Sequence, residues 1–463
     1  MSEPLPLQFY LCSLAVGVLL CYAWRERESA WGIPAMAVTA TAAAWYLGDP
    51  LYNDYSSYFQ TAGEASLSKA WWEVLLFFIS FGILAPLINQ RMNGGLEMRS
   101  RLFQMIRSRV VDAESFQDQI TKTARILILP WLILMLLALL RTDFDFIGIF
   151  FPYFGEKAEP WGRDRMGGGI DALYSLATYL QILLTALFGV LFALAKTPPT
   201  MTLSGLIYAL SVPFFLFDRT RNTMLAVLLP GLMAFTAIRL RGGVMIRILF
   251  LSFAFLALEG WMKFVIVNRS SGNIAEVFHK GDSLTPDAAA SKHLGFNMLE
   301  ELGYINRYIS EGTYRVNWGE RYFAEAVNPI PRVLWPGKPM IGIDYAIARG
   351  MAYGSLAESS GGVAASISTG MIGQGVVNFG PLFGPIAAAL LMAVWVSMLA
   401  RQDLKGTDLG HLLLYAVGLV LTFNMGRDIT LLVIYPFVFG SLLLYWVNRR
   451  RALKPIISHC HAA

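Results

Sequence analysis

The chain has 463 residues, 56% of them hydrophobic and 15% charged, with a mean hydropathy of +0.51. A soluble domain of this size carries about 25% charge, so folding this sequence in water would leave a large apolar surface bare. The net charge of +5 does not point to nucleic acid, because most basic residues sit in short links between apolar runs.

The chain opens MSEPLPLQFY, with Glu3 and no basic residue before the first apolar run. It therefore lacks the n-region of a cleaved signal peptide and reads as a retained helix. A helix rises about 1.5 Å per residue, so a crossing needs roughly 20 apolar residues. In chain order the predicted spans are 6–23, 31–47, 71–89, 124–140, 170–195, 202–218, 223–238, 247–267, 383–400, 409–426 and 430–447. The expected fold is an all-α, polytopic transmembrane helix bundle forming one integral membrane domain over 1–463, with about eleven spans (ten to thirteen).

Loop charges set the orientation. With the C-terminus cytoplasmic, the cytoplasmic links hold 18 Lys and Arg and the short external links hold 8. This follows the positive-inside rule and puts the N-terminus and the long segment 268–382 outside. Segment 90–123 is the largest cytoplasmic link. Its RSRLFQMIRSRVV stretch has apolar residues at helical spacing among arginines, so it reads as a topology-fixing loop or a helix lying on an anionic leaflet. The glycine-broken end of the external segment, GGVAASISTGMIGQGVVNFGPLFG, suits a short or re-entrant helix sheltered by protein.

The sequence has no P-loop, no dinucleotide fingerprint, no HExxH and no paired CxxC. Cys12, Cys21 and Cys460 make neither a disulfide framework nor a metal cluster, and the HCH near the end reads as a tail. Charges at helix ends carry more information. Asp218, Arg219 and Arg221 stand in one short link, Arg427 and Asp428 in another, and Glu259 and Lys263 lie one turn apart in an apolar span. Charge at membrane depth is costly and faces the protein interior or a watery cavity, unless the side chain snorkels to headgroups. In NPIPRVLWPGKP, residues 328–339, prolines stiffen the chain around Arg332, Trp335 and Lys338. Arginine offers a planar fork to phosphate oxygens, and lysine a point charge.

This segment, followed by GMIGQGVVNFGPLFGPIAAALL, resembles the large periplasmic loop and following helix of the O-antigen polymerases, within the oligosaccharide repeat-unit polymerase family. Many members carry Glu in a GxxGExxxNFG pattern where this chain has Gln374. The resemblance implies a multi-pass protein of the bacterial inner membrane, similar to other membrane-embedded lipid-linked-sugar glycosyltransferases. Its expected activity joins polyprenyl-diphosphate-linked oligosaccharides at the periplasmic face, without metal or other cofactor. The implied partners are those lipid-linked oligosaccharides and membrane lipids, with room for a chain-length-regulating membrane protein and none for nucleic acid. Candidate diphosphate contacts are Arg332 and Arg219, then Arg221, Arg321, Arg427 and Lys338, with Trp335 as an anchor or sugar-stacking plate. Candidate acceptor-side groups are Glu320, Asp344, Glu358 and His293. The alternatives are an O-antigen ligase-like glycan transferase and a flippase or transporter for lipid-linked oligosaccharides.

Overall fold

The computed structural model describes residues 5–94, 99–107, 113–152, 154, 157–161, 171–217, 221–267, 297–327, 330, 334–339, 343–350, 368–405, 409–429, 434–435 and 437–445. At 105–107, 171–176, 221–222, 244, 262–263, 265–267 and 343 it describes the backbone alone. The expected tail motif, Glu358, His293, Arg219 and Arg332 all lie outside the described residues.

The described chain is helical and contains no strand. In order the helices are α1 (Leu7–Arg25), α2 (Gly32–Ala42, continued by a π-turn over Ala43–Leu47), α3 (Asp49–Tyr52), α4 (Tyr55–Thr61) and α5 (Glu64–Asn93). Then come α6 (Arg101–Arg107), α7 (Glu114–Arg141), α8 (Phe146–Phe150), α9 (Asp171–Leu194), α10 (Pro198–Leu216), α11 (Arg221–Ala234, with a π-turn to Arg239) and α12 (Val244–Val267). The set closes with α13 (Met298–Ser310), α14 (Glu320–Val327), α15 (Ile343–Ala348), α16 (Gly370–Leu404) and α17 (Leu409–Met425).

Six of these helices are long and apolar enough to cross a membrane, and three shorter apolar helices cover Gly32–Leu47, Thr223–Arg239 and Leu409–Met425. Their outer faces explain the low charge. On α7, Ile126, Leu129, Ile133, Leu136 and Leu140 are all at least half exposed and recur every three or four residues. A stripe of that kind is stable only against lipid. The chain is a multi-pass membrane protein.

Links assigned to one side by alternation touch one another. At one end, Ser100 N–H donates to the Glu28 carbonyl (2.8 Å), Leu102 N–H to Asp403 (2.8 Å) and Gln117 to the Leu194 carbonyl (3.2 Å). At the other, Leu299 N–H donates to Asp49 (2.8 Å), Arg307 to the Thr61 carbonyl (2.6 Å) and Gly370 N–H to the Arg427 carbonyl (2.9 Å). Some helices outrun the apolar runs that suggested them. The loop expected over 90–123 shrinks at both ends, because α5 continues to Asn93 and α7 starts at Glu114. These ends are polar but helix-forming, and Asp118 and Lys122 pair at 2.6 Å one turn apart.

The expected span 383–400 belongs to a longer, two-armed element. Gly380 interrupts α16 with φ 78° and ψ 176°, a conformation open to glycine, and Pro381 follows it. The first arm, 370–379, folds back on the second. A Cβ on Gly375 would stand 2.2 Å from the Gly384 carbonyl oxygen, so only two glycines allow this approach. A ten-residue arm is about 15 Å long, half a hydrocarbon core.

Candidate functional site

Three pieces of chain meet at the head of this hairpin: the Gly426–Ile429 link, the first arm of α16, and α14. The link satisfies the hairpin's first donors. Gly370 N–H donates to the Arg427 carbonyl (2.9 Å), Met371 N–H to the Gly426 carbonyl (3.2 Å) and Ile372 N–H to the Tyr46 hydroxyl (2.8 Å). Gln374 then clasps the backbone of Ile429 both ways, donating to its carbonyl (3.1 Å) and accepting from its N–H (2.9 Å). A glutamate could not donate that first bond, which gives the glutamine a structural reason. The N–H groups that open a helix usually attract anions, but those of residues 370–372 have partners within the protein.

The positive charge comes instead from side chains. Arg427 Nε donates to Ser368 Oγ at 2.8 Å. Asp428, next to it, accepts from the Thr369 N–H (3.4 Å) and hydroxyl (3.3 Å). Arg321, on α14, is 3% exposed. Burial pushes the Asp428 carboxyl above the usual carboxylate range, and the facing Arg321 and Arg427 guanidinium groups pull it back. Two guanidinium groups thus act on this one carboxylate.

α14 owes its place to the turn before it. Trp318 and Gly319 both take positive φ, at 49° and 94°. Asn317 N–H donates to the Val377 carbonyl (3.2 Å) and Tyr322 N–H to Asn378 Oδ1 (3.2 Å). Asn378 in turn donates to the Gln374 carbonyl at 2.7 Å. The Gly-Gln…Asn-Phe-Gly motif therefore works as a bracket that docks α14.

The helix so docked is inside out for a protein in water. Arg321 and Glu325 (7% exposed) face the interior with Ala324, while Phe323 is 53% exposed. Phe323 meets Trp335 edge to face at 6.2 Å, which ties the proline-rich segment to α14. Lys338 bends back instead and donates to the Ile330 carbonyl at 2.9 Å. Such inversion is expected where the outside is lipid and the inside is polar.

Asp344 accepts from the Tyr314 hydroxyl at 2.7 Å, and Arg321 lies near enough to Tyr314 to act on it electrostatically. Glu320 opens α14 on its exposed side. The structure thus brings Arg321, Arg427 and Asp344 to one region. Arg221 opens α11.

A second buried cluster lies across the Tyr314–Tyr345 edge contact, with ring centres 5.6 Å apart. Asp49 is fully buried and accepts from Leu299 N–H (2.8 Å), Glu300 N–H (3.1 Å), Asn53 (2.9 Å) and the Tyr58 hydroxyl. It caps α13 from a different part of the chain. Burial pushes its carboxyl up to about 7, with the Tyr58 hydrogen bond chief among the contacts opposing that rise. Glu301 accepts from Arg349 through both oxygens (3.2 and 3.1 Å) and from the Tyr345 hydroxyl. Arg349 also lies over the Tyr304 ring at 3.6 Å.

Sequence reading passed over Asp428 as a site residue, and Glu325, Asp49 and Glu301 altogether. One signal was present for Glu301. In MLEELGYINRYI the apolar Leu299, Leu302 and Ile305 recur at helical spacing within a segment otherwise read as loop. No protein-family model matches the chain, and no curated protein or solved structure matches it.

Proposed function

We propose that the protein is a glycosyltransferase of the membrane surface that polymerises polyprenyl-diphosphate-linked oligosaccharide repeat units. In this reading the helices span the bacterial inner membrane eleven times, with the hairpin head, α13, α14 and α15 on the periplasmic face. A growing glycan leaves its lipid diphosphate and joins a hydroxyl of the incoming lipid-linked unit. The bond from the anomeric carbon to the phosphate oxygen breaks, and that electron pair stays on the diphosphate.

The observation that supports this reading is the convergence of the Arg321 and Arg427 guanidinium groups on Asp428, on the helix that Phe323 and Trp335 tie to the proline-rich segment. A leaving diphosphate gains negative charge as its bond breaks. Cations held in place before the reaction stabilise that charge without reorganising. Charge-assisted hydrogen bonds of this kind contribute about 1.5–3 kcal/mol each. Arg332 and Arg219 remain proposed contacts on the strength of the family resemblance, with Arg221 and Trp335 in supporting roles, whereas Lys338 turns to the Ile330 carbonyl. The exposed apolar residues Trp318, Phe323 and Leu334 around α14 offer the lipid tail a place to lie.

The test is incubation of the purified protein, in lipid nanodiscs, with lipid-diphosphate-linked repeat units. The expected product is a ladder of lengths. A single transfer to a lipid A core acceptor would replace this reading with a ligase, and movement of substrate without bond formation would replace it with a transporter.

A further inference from the structure

We propose that Glu325 is the general base that takes the proton from the acceptor hydroxyl, an inference that rests on the polymerase reading. Three observations converge on it. Glu325 lies four residues after Arg321, so both project from the same face of α14, and both are buried, at 7% and 3% exposure. A carboxylate is therefore held beside the cation that would receive the leaving diphosphate. Glu320, by contrast, opens the helix on its exposed side, and Asp344 lies on another helix, α15.

The second observation is unmet hydrogen-bonding capacity. The Tyr322 hydroxyl, Asn317 Oδ1 and the Tyr435 hydroxyl are buried and have no hydrogen-bond partner among the described residues. Buried polar atoms are nearly always paired, and each exception needs an explanation such as an absent ligand. Asn317 and Tyr322 flank Arg321 in sequence, and Tyr435 lies within electrostatic reach of Glu325. A sugar, with its many hydroxyl donors and acceptors, is a ligand whose groups pair with phenols and amide oxygens of this kind.

The third observation is the proton balance. When the acceptor oxygen bonds to the anomeric carbon, its proton must leave. Arg321 and Arg427, as guanidinium groups, have no acceptor to offer, and Gln374 is an amide engaged with Ile429. Glu325 can take that proton while the electron pair of the broken bond goes to the diphosphate.

The experiment compares the parent protein with Glu325→Gln and Glu325→Ala in nanodiscs, using lipid-diphosphate-linked repeat units. Removing a general base costs about 10²–10⁴-fold in rate. Glu325→Gln should therefore lower kcat by at least about 100-fold while KM stays within about threefold. Added formate, a small carboxylate, should restore extension by the Ala variant at least about tenfold and leave the parent unchanged. A folded Gln variant that extends at the parent rate would overturn the assignment, as would a folded Ala variant that formate does not rescue. Loss of folded protein in both variants would make Glu325 a structural residue and also overturn it. A parent that forms no ladder would instead overturn the polymerase reading itself.

Discussion

Two buried charge clusters lie side by side in this protein, and they are built to opposite rules. In the first, Asp49 accepts four hydrogen bonds and Glu301 holds Arg349 through both oxygens. In the second, two arginines act on Asp428, and neighbouring phenol and amide oxygens have no partner among the described residues. Burial is similar in the two, so burial alone says little about role. Satisfaction separates Asp49 and Glu301 from the second cluster, although farther along α13 Asn306 Oδ1 and one Glu73 oxygen have no partner among the described residues. A saturated buried network fixes one arrangement of the chain, and here it fastens α13 and α15 to the helices below. An unsaturated one carries a cost of about 1–3 kcal/mol for each orphaned group, a cost that a bound ligand can relieve.

The sharpest way to break this comparison is to remove one arginine from each cluster. Arg321→Ala should reduce chain extension by at least about 100-fold, the size of effect seen when one stabilising donor to a developing charge is lost. Its melting temperature in detergent should fall less than that of the Arg349 variant, because Arg427 still faces Asp428. Arg349→Ala should do the reverse. It leaves Glu301 buried and unpaired, a change that costs about 3 kcal/mol or more, and the activity of the surviving folded protein should be near normal. Equal effects of both variants on both readouts would erase the distinction.

The two clusters also differed in how readily the sequence disclosed them. Apolar runs long enough to cross a bilayer revealed the helices, and glycines at 375, 380 and 384 marked an irregular helix. Arg427 stood out as a charge at a helix end, where charge is expensive, whereas Arg321 entered only among the contacts that the family resemblance implies. Asp49 did not, because its partners are about 250 residues away in Leu299 and Glu300, and no local pattern encodes a cap supplied from that distance. Glu325 was hidden for another reason. In ERYFAEAV the polar residues look solvent-facing and the apolar ones buried, and the surroundings of α14 invert that rule.

A smaller effect follows from the ionisation of Asp49. Its carboxyl titrates near 7 in the folded protein, above the ordinary value of 3.8. Between those values the folded state binds more protons than the unfolded one, so stability falls as pH rises. The fall should approach about 1.4 kcal/mol per pH unit at mid-range, begin near pH 4 and level off above pH 7. Asp49→Asn resembles the protonated form, and its carbonyl oxygen can still accept from the α13 backbone. The variant should lose this slope in denaturant titrations at pH 5, 6 and 7. A slope as steep as the parent's would mean that another group is responsible. Chain extension by the folded variant should follow the parent, since Asp49 lies in the saturated cluster.

The smallest effect should come from residues near the second cluster that do not belong to it. Glu320 is one residue from Arg321 but opens α14 on the exposed side, where water satisfies its carboxylate. Lys338 donates to the Ile330 carbonyl, a contact inside the proline-rich stretch itself. Exposed charges interact weakly through water and salt, and isolated pairs on the surface contribute about 0–1 kcal/mol. Glu320→Gln and Lys338→Met should therefore leave chain extension within about twofold of the parent, the change that a few tenths of a kcal/mol produces. Lys338→Met has a second readout. If the lysine contacts diphosphate directly, KM for the lipid-linked unit should rise several-fold and become less sensitive to salt, because a screened attraction has been removed. A KM and salt dependence equal to the parent's would assign Lys338 to that contact and leave recognition of the diphosphate to the arginines.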